Sequence, residues 1–337
     1  MKLTLGLVLL GASLVLGANF PTDPEDGWYV PQGDGTFVWM SEEDAQMVAR
    51  DLAVVSRAAT IKLYLYTKEN PSTPQLLDQS NAQSLRNSNF KASRPTRIII
   101  HGWQNNYLSD VNVDLRAAYM QHGDYNIICV DWSANAETIN YPLAAQRVKG
   151  VGKQVASFID FANKNVGLSF DTLEIDGHSL GAHCAGFAGK NVKNGRIHTI
   201  RGLDPALPLF SYDKPADRLA STDAYYVESI QTCGGLLGFL QPIGKAAFYP
   251  NGGKTQPGCG LDVSGACAHS RSYEYYAEAI VRNDFPSMRC TDYEDAVDKN
   301  CGKTYSANRL GSPANDNSAS GSYYTPVNKK SPFGMAA

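Results

Sequence analysis

The sequence holds no run of lysines and arginines, and its formal net charge is only −3. That removes the electrostatic basis for nucleic-acid binding and for a polybasic membrane anchor. No Asn-x-Ser/Thr acceptor is present, because Asn70-Pro71-Ser72 has proline in the middle position, so nothing argues for N-linked glycans. Past the first twenty or so residues no apolar stretch is long enough to span a bilayer. Internal repeats and low-complexity tracts are also missing. Histidine is scarce, six in 337 residues, so any imidazole-dependent chemistry has few candidate bases. Cysteine is odd in number, seven, which leaves at least one thiol free or paired outside the chain.

What is present is a globular composition, 43% hydrophobic and 19% charged, enough for one large α/β domain or two ordinary ones. Lys2 precedes a mostly apolar run from Leu3 to Leu16, followed by the small residues Gly17 and Ala18. This order of parts predicts a secretory signal peptide over 1–17 and a secreted, extracellular protein. An oxidising compartment agrees with the cysteines. Proximity predicts the pairs Cys259 with Cys267 and Cys290 with Cys301. Cys129 and Cys184 lie in apolar stretches and read as buried thiols; Cys233 has no evident assignment.

Residues 18–40 are rich in Pro, Asp and Gly with scattered aromatics, and read as an N-terminal arm or pro-segment that docks on the body. Residues 41–337 read as one α/β domain. A helix is expected from Glu42 to Ala58, capped by Ser41. Strands are expected over 61–67, 96–101, 125–132, 172–178, 196–204 and 224–232, with an amphipathic helix over 142–163. Strands alternating with helices predict a mainly parallel central sheet with helices on both faces. The tail after Cys301 reads as one edge strand and little else.

The chemistry centres on Gly177-His178-Ser179-Leu180-Gly181, a G-x-S-x-G pattern after an apolar strand and before a helix of small residues. Such a strand–turn–helix presents a nucleophilic serine at a helix N-terminus. Its hydroxyl needs an imidazole to take its proton and a carboxylate to orient that imidazole. The chain order serine, acid, histidine selects Asp204, at the end of an apolar strand and held by Pro205. It then selects His269, the one histidine after Asp204, expected on a loop ahead of a helix beginning near Ser270. His183 and His198 read as packing residues. Two backbone amides are needed for the developing oxyanion; Leu180, next after the serine, and Trp103, after the strand ending His101-Gly102, are the candidates.

These motifs resemble the animal pancreatic lipase family. The resemblance rests on Gly177-His178-Ser179-Leu180-Gly181-Ala182-His183, His101-Gly102-Trp103, Gly202-Leu203-Asp204-Pro205-Ala206, Phe248-Tyr249-Pro250-Asn251-Gly252-Gly253, Pro257-Gly258-Cys259 and Cys267-Ala268-His269-Ser270-Arg271-Ser272-Tyr273. It implies an α/β-hydrolase whose catalytic residues are Ser179, Asp204 and His269, acting on lipid esters at an interface with no cofactor. No C-terminal β-sandwich of the colipase-binding kind is expected.

The segment that forms a lid in that family is here the seven residues between Cys259 and Cys267, which is similar to the phospholipase A1 and insect neutral lipase branch. The expected substrates are phospholipid sn-1 esters, acylglycerols or both, with the short lid favouring phospholipid. The neighbouring apolar loop, with Leu236, Leu237 and Phe239, is expected either to meet a lipid surface or to pack as core beneath the loop. The family's calcium loop looks degraded, with Pro215 and Ala220 at two acidic positions while Arg218 and Asp223 remain, so no metal is expected. The alternative is a catalytically inactive homologue that binds or stores lipid. All three members of the serine, acid and histidine set are present, which weighs against it.

Overall fold

The computed structural model of the chain describes residues 27–53 and 58–335. The expected signal segment, the first part of the arm and residues 54–57 of the helix expected to run to Ala58 lie outside the described residues. Two short strands come first, β1 (Gly27–Pro31) and β2 (Phe37–Ser41), paired antiparallel with Pro31 opposite Phe37. From Gly27 onward the expected arm is thus a hairpin. It docks: Val30 is fully buried, and Trp28 and Met40 pack against the main core. Helix α1 (Glu42–Ala53) follows, and Ser41 Oγ accepts from Asp44 N at 3.1 Å as its cap.

The chain then runs β3 (Lys62–Tyr66), β4 (Gln75–Leu77), α2 (Ala82–Arg86), β5 (Thr96–Ile100), α3 (Asp110–His122), β6 (Asn126–Asp131), α4 (Ser133–Ala136) and α5 (Tyr141–Val166). It continues with β7 (Leu173–His178), α6 (Leu180–Asn191), β8 (Thr199–Leu203), β9 (Tyr226–Ile230) and β10 (Ala246–Pro250). Last come α7 (Ala266–Arg282), β11 (Met288–Arg289), α8 (Tyr293–Asp298) and β12 (Gly321–Thr325). Ten strands form one sheet in the order β11-β12-β10-β9-β8-β7-β5-β6-β3-β4. From β12 to β6 all neighbours are parallel, and antiparallel strands flank them at both edges.

The strand sequences explain this burial. In β5, Ile98 and Ile100 join the cluster shared with α5 and α6, while Ile99 joins the cluster shared with α3 and α7. In β6, Ile128 and Val130 divide from Ile127 and Cys129 in the same way. Strands apolar at successive positions are what a sheet covered on both faces requires. Helix α5 buries Val148, Val151, Val155, Phe158, Ile159 and Ala162 along one stripe and stops at Gly167, whose φ of 71° suits a left-handed cap. This is the α/β-hydrolase architecture, and the described residues contain no β-sandwich.

The tail departs from expectation. Strand β12 is not an edge but lies between β10 and the short β11. Strand β10 is buried along its whole length and needs a partner for its outer ladder; β12 supplies it with Tyr323 and Thr325 turned into the core. The expected strand is present, and it is the polar Ser, Asn and Gly around it that make it read as an edge in the sequence.

Candidate active site

Ser179 sits between β7 and α6 with φ 57° and ψ −124°. A positive φ at a non-glycine residue is strained, and here neighbouring contacts hold it. Ser179 N donates to Leu203 O at 3.1 Å. The glycines on either side are required by close approach. A Cβ on Gly177 would stand 2.3 Å from Gly181 O, and one on Gly181 would stand 2.2 Å from Ile100 O. The turn therefore packs against both its own helix and β5.

Asp204 follows β8 directly, fully buried, with φ 44°. Its Oδ1 accepts from Thr232 N at 2.7 Å and Cys233 N at 3.0 Å. Its Oδ2 lies 2.5 Å from His269 Nδ1. The carboxylate is acceptor-only, so the shared proton belongs to Nδ1 and the lone pair of Nε2 is left for a hydroxyl proton. Contrary to expectation, His269 is not on a loop. It stands in the first turn of α7, which begins at Ala266. Asp262 makes that early start possible by accepting from Cys267 N at 3.3 Å and Ala268 N at 2.7 Å. An acid a few residues ahead of the histidine was the available signal.

Ser179 and His269 line one cavity of about 340 Å³, together with Gly102, Trp103, His178 and Leu237. The two oxyanion candidates flank the serine. Leu180 is the first residue of α6, and a Cβ on Gly102, next to Trp103, would lie 2.9 Å from Ser179 Cβ. The Trp103 indole donates to Thr138 O at 2.6 Å, fixing the ring against the loop before α5.

His178, to which sequence reasoning assigned no role, is buried beside His269 with ring centroids 4.4 Å apart. Its Nε2 donates to His269 O at 3.3 Å. Burial, then the His269 imidazole, pushes His178 well below the ordinary histidine range, so it stays neutral.

The other predicted positions divide. Cys259–Cys267 and Cys290–Cys301 are disulfides, and Cys129, Cys184 and Cys233 are buried thiols. Phe239 is not a lipid contact. It is fully buried, its N donates to Pro205 O at 2.9 Å, and its ring meets His183 edge-on. The glycines around it let the loop turn the ring into the core. Leu236 and Leu237 are half-buried, and Leu237 lines the cavity. His183 is buried too; Leu219 N donates to its Nδ1 at 3.1 Å, so its Nε2–H donates to Ala206 O at 2.7 Å.

The family's calcium loop does not fit a cation here. Lys190 Nζ donates to Asp223 Oδ1 at 2.5 Å, to Asp223 Oδ2 at 2.6 Å and to Arg218 O at 2.8 Å. The oxygens that a hard cation would take are already held by an ammonium group.

A family model described as Lipase matches residues 38–333. Pancreatic triacylglycerol lipase of Mus musculus is 38% identical over 259 residues, covering 69% of this chain and 54% of that protein. Pancreatic lipase-related protein 2 of Myocastor coypus is 34% identical over 279 residues, covering 76% and 59%. The chain thus spans little more than half the length of these curated relatives. Among solved structures, an esterase of Pyrococcus furiosus, Pf2001, aligns at 16% identity over 56% of this chain and 76% of that one, with a TM-score of 0.31. With the sheet, the serine turn and the buried Asp204–His269 pair in place, the match across nearly all of the described residues identifies the chain as a member of the lipase family.

Proposed function

We propose that the protein is a serine esterase that hydrolyses carboxylic esters of lipids through an acyl-enzyme. The observation that carries this reading is the convergence of Ser179, in its strained turn, with a His269 oriented by buried Asp204, on one cavity. In the first step His269 Nε2 takes the hydroxyl proton as Ser179 Oγ bonds to the carbonyl carbon. The Trp103 and Leu180 amides receive the oxyanion, and the leaving alcohol departs with the proton from His269. In the second step His269 deprotonates water, which attacks the acyl-enzyme; the fatty acid leaves and Ser179 regains its proton.

Lipid as substrate is supported by the family and by the exposed apolar side chains on segments at the cavity mouth. Ile139 touches the hairpin turn, and Leu261 and Val263 share a loop with the cavity-lining Ser264. These residues, rather than Phe239, are the lipid-facing rim. Phospholipid sn-1 esters and acylglycerols are both within reach, because the disulfide-closed loop from Cys259 to Cys267 is too short for a flap over the serine. The two disulfides and the leading apolar segment support action outside the cell. Purified protein assayed on phosphatidylcholine and triolein separates the two substrate classes. Ser179→Ala is expected to abolish fatty-acid release from both while the circular dichroism spectrum stays unchanged. Retained activity overturns the reading.

A further inference from the structure

The cavity that holds Ser179 and His269 is not built by the central domain alone. Pro31, Gln32, Gly33, Gly35 and Phe37, all from the first hairpin, line it as well. The hairpin is a firm element. Its turn closes with Gln32 N donating to Thr36 O at 2.8 Å and Gly35 N to Gln32 O at 3.0 Å. Asp34 Oδ1 accepts from Thr36 N at 3.0 Å and from Thr36 Oγ1 at 2.7 Å. The strands hold the turn in place through buried Val30, and the tip rests on the loop before α5: a Cβ on Gly33 would lie 2.8 Å from Ile139 Cβ.

That same loop receives the Trp103 indole and leads into Tyr141, whose ring meets Trp103 edge-on at 5.2 Å. Pro31 and Phe37 therefore join Trp103, Tyr141, Pro208 and Leu237 as lining of one cleft. Among the described residues that line it there is no Asp, Glu, Lys or Arg; its titratable groups are the two histidines and the Tyr141 phenol, whose ionisation burial disfavours. A zwitterionic head group would find no counter-charge there, whereas an alkyl chain would find apolar surface.

We propose that this hairpin is the specificity wall of the esterase, Phe37 and Pro31 bounding the groove that takes the acyl chain and so setting the chain length it accepts. The proposal rests on the serine esterase reading above and adds the element that selects the substrate. Placing the wall on a hairpin outside the central sheet lets its side chains change without disturbing β7, β8 or the helices that position Ser179, Asp204 and His269.

The test uses the full secreted chain, p-nitrophenyl esters from butyrate to palmitate at concentrations below aggregation, and titration of reactive serine with a p-nitrophenyl alkylphosphonate. Phe37→Ala is expected to raise kcat/KM for the long esters relative to the short ones by about tenfold, a change of the size that one or two methylenes command in an apolar pocket. Phe37→Trp is expected to shift the preference the other way, and Phe37→Leu to shift it towards longer chains by less. The titrated serine per chain should stay equal to that of the parent in all three, which separates selection from unfolding. Unchanged chain-length profiles in variants that titrate normally overturn the wall while leaving the esterase reading intact. A parent chain that does not react with the phosphonate overturns both.

Discussion

Gly238 lies so close to the carboxylate of Asp204 that a Cβ on it would stand 2.4 Å from Oδ1 and 2.5 Å from Oδ2. The glycine is thus one wall of the socket that aims Asp204 at His269. The carboxylate cannot swing aside cheaply, because Thr232 N and Cys233 N hold Oδ1 and His269 holds Oδ2. Gly238→Ala must push the carboxylate or the loop. Displacement on the order of 1 Å at a catalytic group costs roughly a hundredfold in rate. The expected outcome is a loss of about that size in kcat for ester hydrolysis, with KM changed little and the melting temperature lowered by the overpacked contact. Activity near that of the parent would mean that the carboxylate position is not what limits the reaction.

Lys190 Nζ occupies both Asp223 oxygens and Arg218 O, which leaves a cation no free ligands there and predicts a metal-independent protein. The pair with Asp223 is largely buried, the Asp223 side chain being 2% exposed and Lys190 21%. Asp223 also accepts from Ala220 N at 2.9 Å, so the ammonium ties α6 to the loop at 218–223. Chelator is expected to leave activity and melting temperature unchanged. Lys190→Met should remove on the order of 2 kcal/mol of stability, below the full cost of stranding a buried charge because the lysine is partly solvated. Denaturant titration measures this, and Lys190→Met/Asp223→Leu should recover part of the loss. A fall in melting temperature on adding chelator to the parent chain would reverse the argument.

How far the sequence reached depends on range. The Ser179 turn is legible because its determinants are local: an apolar strand, two glycines and a small-residue helix within twenty residues. Chain order and its place at the end of an apolar strand single out Asp204 over Asp213, Asp217 and Asp223, and His269 is then the one histidine left after it. What fixes them in space is not local. Thr232 and Cys233 act through backbone N–H groups that any residue would supply, and Gly238 acts by having no side chain. His269 falls inside α7 because Asp262 caps the helix earlier than the Ser270 start suggested. Phe239 reads as a surface aromatic until the Gly-rich loop is seen to fold it onto His183.

The layer beneath the sheet is hidden for the same reason. Arg97, Glu174, Asp176, Arg201 and Glu228 come from β5, β7, β8 and β9, and each alone looks like a solvent-facing position. Register sets Asp176 beside Arg201 and Arg201 beside Glu228. Tyr119 of α3 and Tyr276 of α7 then close over Glu174, to which Arg201 Nη1 also donates. Only the pairing of distant strands turns these charges into mutual partners.

His183 gives the chain a pH dependence that can be read with its sign. Burial pushes this imidazole down to about 3, against about 6.5 in an unfolded chain. Between those values the unfolded chain holds a proton that the folded one does not. Stability from this residue is therefore complete above about pH 6.5 and is lost as pH falls, at up to roughly 1.4 kcal/mol per pH unit. His178 adds a term of the same sign. Asp176 and Glu228 act in the opposite sense, since burial holds their carboxyls above the usual range and favours the protonated folded form. The comparison of parent with His183→Gln isolates the histidine from these groups. Glutamine cannot take up a proton, and it loses at least one of the two bonds to Ala206 O and Leu219 N, so the variant should be less stable at about pH 8 by roughly 1–3 kcal/mol. Between about pH 6.5 and 4.5 its stability should fall less steeply than that of the parent, by close to one proton in the linkage slope. Denaturant titrations across that window measure both slopes; parallel slopes would show that His183 is protonated in the folded chain.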